Sequence, residues 1–459
     1  MTMDGNEGKN RMSSNGMDVF LSQFRSARSS PSPENASINV QDWFFWVEQA
    51  KEADLQRALS CAMAQRLSPQ IWFELALAKL PDAAWGQLVN EALPEALAAL
   101  RDGASLDKAL PLHETLLMQA SWQQPQTLRP HVLDLVSPVL DGSLQLHWRV
   151  WQDLDEGTAD AVHRLLDECF EKSHHNACMV GMAILLSLGD ALSLKQASQL
   201  LARWETEDRV YKGCQLHEFE APQPHLHSTA PLHMVFPAGY ELKEDWVPRH
   251  WHPTARGVPR GPSWPVGGEG RGQCGCCGGP LCHLLSLPES LVFNSSDGLN
   301  RTVKTDEWMS KAQPAVSLSL CMSCLESGAG ELHYEHDAGG GATCLHPNTG
   351  SEPEIPDYVV DGLLLPGTMR LARTAERWSA QPWEVGQYLY RVGGVPSWVQ
   401  SPWYPVCRHC GDAMHFVLQL DSGLPEARRK VERLWGSGGL LYAFACTPCR
   451  RSAFLIQHT

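Results

Sequence analysis

Long apolar runs are missing from this 459-residue sequence. The best membrane candidate, ACMVGMAILLSLGD at residues 177–190, is shorter than the roughly 20 residues that a spanning helix needs, and it ends on a charge. The first residues, MTMDGNEGKNRMSSNGMD, are polar and lack the apolar segment of a secretion signal. We therefore expect a cytoplasmic protein with no membrane partner.

A surplus of positive charge is missing too. With 37 Lys plus Arg against 52 Asp plus Glu, the formal net charge is −15 at pH 7. Nucleic-acid affinity comes mainly from basic residues that neutralise phosphates, so the composition argues against a nucleic-acid partner. Residues 361–459 are the exception, with eleven Lys plus Arg against seven Asp plus Glu. A solvated basic face is the simplest interpretation of that segment.

The length of the chain and the changes in its composition and hydrophobic periodicity predict several domains. The first residues are rich in Ser, Asn, Gly and Pro, which is typical of disorder. Segments such as AWGQLVNEALPEALAALR then show helical periodicity, and their short connections favour an α-solenoid that loosely resembles HEAT-type arrays. Later, Gly, Pro, Cys and short strand-like runs accumulate. We predict an α+β chain with a disordered leader, a helical repeat-like domain and two zinc-binding β-rich units, at residues 1–38, 39–207, 208–350 and 351–459.

Cysteine is abundant, with fifteen residues, and the odd number argues against a complete set of intramolecular disulfides. Eight of them form C-x-x-C pairs, and two such pairs can surround one tetrahedral ion. We therefore predict two zinc-ribbon-like sites of four cysteines each. Their ligands are Cys274, Cys277, Cys321 and Cys324 in the first site, and Cys407, Cys410, Cys446 and Cys449 in the second. Four thiolates leave zinc no open position, so both expected zinc ions are structural.

The two sites lie in similar sequence contexts. CCGGPLCHLLSL aligns with HCGDAMHFVLQL when Cys277 is set against Cys410, and CMSCLES aligns with CTPCRRS. The tripeptide PSW precedes both sites, at residues 262–264 and 396–398. We infer a tandem duplication with a spacing of about 133 residues.

Further cysteines and histidines leave two questions open. Cys276 lies beside the first pair, and spacing does not decide whether it replaces Cys274 as a ligand. A third ion could be bound by a mixed set of donors: His333, His336, Cys344 and His346. A glycine-rich loop with incidental histidines is the simpler interpretation of that segment.

The C-terminal region resembles two related families. GGVPSWVQSPWYPVCRHCGDAMHFVLQL and GGLLYAFACTPC contain a Gly-Gly-x-Pro-x-Trp entry, a C-x-x-C-G turn, a strand ending in Gln-Leu and a Leu-Tyr-x-Phe-x-Cys-x-x-Cys exit, with Gln400 and Gln419 in place. This pattern resembles the YwqG-like family and the programmed cell death protein 2 family over about the last seventy residues; residues 256–330 match weakly. The first family is largely without assigned activity and the second is associated with chaperoning a ribosomal protein. The resemblance implies a protein-binding module.

Catalytic signatures are also absent from the sequence. We find no phosphate loop, no nucleophile motif and no paired-carboxylate pattern. We therefore expect a non-enzymatic zinc-binding protein of the interaction, chaperone or immunity type, with another protein as its partner. The alternative is a metal-dependent hydrolase or transferase that uses the third His/Cys site, because a catalytic zinc keeps an exchangeable position.

Overall fold

The computed structural model describes residues 47–66, 71–172, 175–207, 226–240, 259, 261–293, 314–327, 330–337, 341–345, 362–373, 378, 381–383, 389–428 and 431–459. The chain divides into two compact units, Met1–Val150 and Trp151–Thr459. A helical region precedes a sheet-rich region, so the predicted α+β class is confirmed. The predicted leader lies outside the described residues, and the predicted domain boundaries stay predictions. None of the helices described here is long and apolar enough to cross a membrane.

The described part of the first unit is built mainly of packed α-helices. Their bounds are α1 Glu52–Ala64, α2 Ile71–Lys79, α3 Asp82–Arg101, α4 Leu106–Ala109, α5 Pro111–Gln123 and α6 Val132–Leu140. Buried residues recur at three- and four-residue spacing in α3, from Trp85 to Leu97. The helix has Asp82 in its first turn, where the helix dipole favours a carboxylate, and ends just before Gly103, which has a φ of 74°. Helix α3 packs against α5, and α1 packs against α2.

The second unit opens with helices α7 Glu156–Lys172, α8 His175–Leu188 and α9 Ala191–Glu207. Asp155 precedes α7 and accepts the Thr158 N–H at 3.0 Å. Asp190 precedes α9 and accepts the Ser193 N–H at 2.8 Å. Each carboxylate thereby satisfies an N–H that has no partner within its helix. Helix α8 packs against α7 and α9, and the predicted helical segment 39–207 contributes to both units. Its repeat architecture stays a prediction.

A twelve-stranded antiparallel sheet dominates the described part of the second unit. Its strands are β1 Ser228–Val235, β2 Trp264–Val266, β3 Glu269–Gln273, β4 Pro280–Pro288, β5 Ala315–Leu320, β6 Glu331–His336, β7 Ala342–Leu345, β8 Gly367–Arg373, β9 Arg391–Gly394, β10 His415–Asp421, β13 Leu440–Cys446 and β14 Arg451–Gln457. A separate pair joins β11 Leu424–Pro425 to β12 Glu432–Arg433. Short helices α10 Glu289–Val292 and α11 Met322–Glu326 flank β5 in the chain.

The order of neighbouring strands is β3-β4-β2-β8-β1-β9-β10-β13-β14-β6-β7, and β5 pairs with β4. Strands from both predicted zinc-binding units therefore share one sheet. Strand β6 follows the second cysteine pair of the first site, yet it pairs with β14 of the second. Strand β7 lies against β3 and β5, although these strands stand at the opposite end of that order. The two ends of the sheet thus approach each other.

The hairpins β4–β5 and β10–β13 share one irregularity. The register of β4–β5 shifts between His283 and Leu285, and that of β10–β13 shifts between Phe416 and Leu418. In both cases the bulge adds a residue at positions that the sequence alignment sets opposite each other. Because a β-bulge is a specific feature that related strands retain, this coincidence supports the inferred duplication.

The two PSW motifs do not occupy equivalent places. Trp264 lies within β2, which pairs with β4, whereas residues 396–398 follow the end of β9, the strand paired with β10. In the second motif the Ser397 N–H donates to Oε1 of buried Gln419 at 2.9 Å. The aligned position in β4 is Ser286, which has a shorter side chain. The duplicated similarity therefore concerns the cysteine hairpins and not the PSW entry.

Candidate metal centres

The first cluster brings together four cysteines from two turns. Cys274 and Cys277 lie after β3, where Gly278 donates its N–H to the Cys274 carbonyl at 2.9 Å and has a φ of 70°. Cys321 follows β5, and Cys324 lies in α11. The Sγ–Sγ distances are 3.7 Å for Cys274–Cys324 and 3.4 Å for Cys277–Cys321. All four sulfur atoms lie within 4.8 Å of one another.

The second cluster repeats this arrangement. Gly411 donates its N–H to the Cys407 carbonyl at 2.9 Å and has a φ of 80°. Cys446 ends β13, and Cys449 lies in the turn before β14. The Sγ atoms of Cys410 and Cys446 are 3.7 Å apart, and all four sulfur atoms again lie within 4.8 Å of one another. In both clusters an antiparallel hairpin brings the two turns to one end of the strands, because its register sets their ends side by side.

Both four-sulfur groups fit a tetrahedral ion. Zinc–sulfur bonds of about 2.3 Å in a tetrahedron separate the sulfur atoms by about 3.8 Å, close to the distances found. A disulfide needs about 2.05 Å, and the thirteen cysteines whose side chains the structure describes are free thiols. Soft thiolate donors in this number suit an ion of the zinc type. With four protein ligands, neither group leaves a coordination position for a substrate.

The Cys274 thiol has a lowered pKa, whereas the pKa values of the Cys321 and Cys324 thiols in the same cluster are raised. Hydrogen bonds with Cys321, Cys324 and Cys344 hold the pKa of the Cys274 thiol well below its usual range. The hydrogen bond with Cys274 raises the pKa of the Cys324 and Cys344 thiols in turn. The surroundings therefore favour a thiolate at Cys274, and the thiolate is the form that binds metal.

Polar side chains hold the turn and helix that carry Cys321 and Cys324. Tyr334 Oη accepts the Cys321 N–H at 2.8 Å, and burial raises the pKa of Tyr334 well above its usual range, so the phenol stays neutral. Buried Arg433 forms ion pairs with Glu326, at the end of α11, and with Glu426 at 3.0 Å. These contacts attach the turn that carries Cys321 to β6 and β12.

Arg450 supports the second cluster. It follows Cys449 directly and adopts a φ of 49°, a conformation that costs energy for a residue with a side chain. Its guanidinium forms an ion pair with Glu289 and lies 4.9 Å from the centre of the Phe293 ring. Both partners follow β4, so the second cysteine turn is attached to the first hairpin.

The two described histidines of the predicted third site are not brought together. His333 and His336 are three residues apart in β6, so they point to opposite faces of the sheet. His333 Nε2 lies 2.7 Å from Glu331 Oε1, and His336 Nε2 lies 2.7 Å from the Ser452 hydroxyl. No described histidine belongs to a group of potential metal ligands, and His346 lies outside the described residues.

Cys344 instead joins two other cysteines. Its Sγ is 3.7 Å from that of Cys276, and with Cys274 these sulfur atoms form a group within 4.8 Å of one another. Cys274, and not Cys276, belongs to the four-sulfur group. The sequence did not reveal the Cys276–Cys344 contact, because 68 residues separate the two and no motif links them.

Comparisons with known proteins add little to this geometry. No protein-family model matches the chain, and no solved structure matches it. A segment of 69 residues is 36% identical to the uncharacterized protein YpfL of Salmonella typhimurium (strain LT2). This segment makes up 15% of the present chain and 15% of that protein, so the similarity is local. It carries no assigned function from one protein to the other.

Proposed function

We propose that this protein is a non-enzymatic, zinc-binding interaction protein of the cytoplasm, of the chaperone or immunity type, in which each four-cysteine group holds one structural zinc ion. The observation that carries the proposal is that each group presents four sulfur atoms within 4.8 Å of one another. Four thiolates saturate zinc, so the ion serves the fold and not a bound substrate.

Zinc would act here by fixing the turns at the ends of two hairpins. Structural zinc supplies about 10–16 kcal/mol of apparent folding free energy in small peptides at pH 7, enough to decide whether a short hairpin keeps its conformation. Both hairpins belong to one sheet, so the two ions would stabilise a common surface. Trp403 and Val406 are exposed just before Cys407, and interfaces are enriched in aromatic residues.

The C-terminal resemblance to the YwqG-like and programmed cell death protein 2 families points the same way, since it implies a protein-binding module. The Gln-Leu strand end on which it rests includes Gln419, which accepts the Ser397 N–H and donates to the Leu389 carbonyl at 3.0 Å. The motif residues therefore build the entry to the second hairpin, a structural role that suits a binding module.

A metal-dependent hydrolase or transferase is the second candidate. It needs an ion with an exchangeable position, and the group of Cys274, Cys276 and Cys344 has fewer than four ligands. Three thiolates carry three negative charges against two on zinc, so such an ion polarises water less than one held by neutral histidines. The interaction protein is therefore the better supported of the two.

Affinity capture with three baits tests the proposal. Full-length protein, Trp403→Ala and Cys61→Ser are used to recover partners from gently prepared native extract, and zinc is counted in each bait. We expect the unchanged protein and Cys61→Ser to recover the same stoichiometric protein. Trp403→Ala should keep its zinc and recover less of that protein, because the change removes the exposed indole and its hydrogen bond to Glu331 but no cysteine. Absence of any stoichiometric partner for the unchanged protein would contradict the proposal.

A further inference from the structure

The three-cysteine group beside the first cluster has no part in the function proposed above. Cys276 is half-buried and Cys344 is buried, and their sulfur atoms are 3.7 Å apart. Three thiolates bound to one ion at about 2.3 Å lie about 3.8 to 4.0 Å from one another, depending on whether the ion is tetrahedral or planar. The group with Cys274, whose sulfur atoms all lie within 4.8 Å, has about this size.

We propose that Cys274, Cys276 and Cys344 hold a second soft ion, of the zinc or cadmium class, and that the Cys274 sulfur bridges it to the ion of the four-cysteine group. Cys274 is the one residue that both groups share. A thiolate sulfur has several lone pairs and can bind two ions at once. The first centre is then binuclear, with six cysteines, and the second ion keeps one position for water or an external ligand on the side of half-buried Cys276.

The second cluster provides an internal comparison. The sequence alignment places His409 opposite Cys276, and the His409 side chain is exposed. Among the described residues, no additional group of potential metal ligands lies beside Cys407, Cys410, Cys446 and Cys449. The second centre is therefore mononuclear, and the two centres differ in capacity although their hairpins share the same bulge.

The position of Cys344 indicates what the additional ion does. Cys344 lies in β7, whereas Cys274 and Cys276 lie in the turn after β3. Strands β3 and β7 are at opposite ends of the strand order, yet they lie against each other. An ion bound by these three cysteines cross-links the two ends of the sheet. Because three protein ligands hold it instead of four, it exchanges more readily than the two structural ions.

Counting metal ions under native conditions tests the inference. The full chain is saturated with zinc in the presence of a reductant, freed of excess metal and weighed intact by native mass spectrometry. We expect three ions in the unchanged protein and in Cys61→Ser, and two in the double variant Cys276→Ser/Cys344→Ser. A count of two in the unchanged protein, with Cys276 and Cys344 open to alkylation, would overturn the inference while leaving both structural sites intact.

Cadmium NMR tests the bridge itself. The cadmium-loaded protein should give three resonances, two of which share a scalar coupling through the Cys274 sulfur. The double variant should lose one resonance and that coupling, and its two remaining resonances show that it is folded. Three uncoupled resonances, a third ion that survives in the double variant, or a Cys276–Cys344 disulfide under reducing conditions would each refute the shared site.

Hydrogen exchange measures the proposed cross-link. Adding the third ion to protein that already holds two should slow exchange in β7 at least tenfold in the unchanged protein, with no change in the double variant. Equal exchange of β7 at both occupancies would exclude a cross-link between the ends of the sheet. A metal count of one in the unchanged protein would instead show that one of the two four-cysteine sites fails, which contradicts the proposed function as well.

Discussion

Replacing Cys410 with serine separates the contribution of the metal to the free energy of unfolding from the contribution of side-chain packing. The Cys410 side chain is exposed, unlike those of Cys407 and Cys446, so the change to serine creates no cavity. Exposed substitutions of this kind usually alter the free energy of unfolding by no more than about 0.5 kcal/mol. Any larger effect must therefore come from the loss of one thiolate from the four-sulfur group.

The size of that effect follows from the closed geometry of the site. Structural zinc contributes about 10–16 kcal/mol in small peptides, so the share of one of four thiolates, about 2.5–4 kcal/mol, is the smallest loss expected when the ion is released. Single domains are stable by only about 5–15 kcal/mol in total. We therefore expect Cys410→Ser to lose one zinc ion per chain and to lower the free energy of unfolding of the sheet unit by at least about 2.5 kcal/mol.

Urea unfolding followed by tryptophan fluorescence, with zinc and with a chelator, measures this difference. Cys61→Ser is the matched control, because Cys61 is a half-buried helical cysteine outside both clusters whose Sγ contacts Gln65 at 3.0 Å. With chelator present, Cys410→Ser and the unchanged protein should unfold at the same urea concentration. Full zinc retention in Cys410→Ser, or a difference that persists in chelator, would refute the reasoning.

Further predictions concern the first cluster and its surroundings. Cys277→Ser should remove the ion of the first four-cysteine group and keep the ion of the second, as counted by elemental analysis; loss of all metal would show that the two centres are not independent. Tyr334→Phe should cost about 1–3 kcal/mol in urea unfolding, because the buried Cys321 N–H loses its acceptor, and an unchanged midpoint would contradict this. Burial lowers the pKa of His336 to about 4, so the unfolded chain binds more protons between that value and about 6.5, and stability rises with pH through this window. His336→Gln should remove up to about 3 kcal/mol of that rise, measured as unfolding free energy against pH, and an identical slope in both proteins would show that His336 does not titrate this way.

The cysteine turns were predictable because their geometry is local. Two residues between cysteines, followed by Gly278 or Gly411 with positive φ, place two sulfur atoms on one side of a turn whatever the rest of the chain does. The apolar runs after each turn likewise predicted strands, and the spacing between the pairs is long enough for a hairpin. The sequence could also have predicted that His333 and His336 do not bind one ion together, since an odd separation in a strand puts two side chains on opposite faces.

By itself, then, the sequence determined the helical and sheet-rich regions, the two sets of four cysteines and the closed character of each set, since these depend on periodicity and on short spacings. Only the tertiary structure decided that both hairpins belong to one sheet, that β6 pairs with β14, and that Cys276 meets Cys344. Pairing between distant strands depends on how the whole sheet curls, and backbone hydrogen bonds are the same for every residue type. No local pattern therefore records which edges will meet, and the three-cysteine group exists only because the ends of the sheet come together.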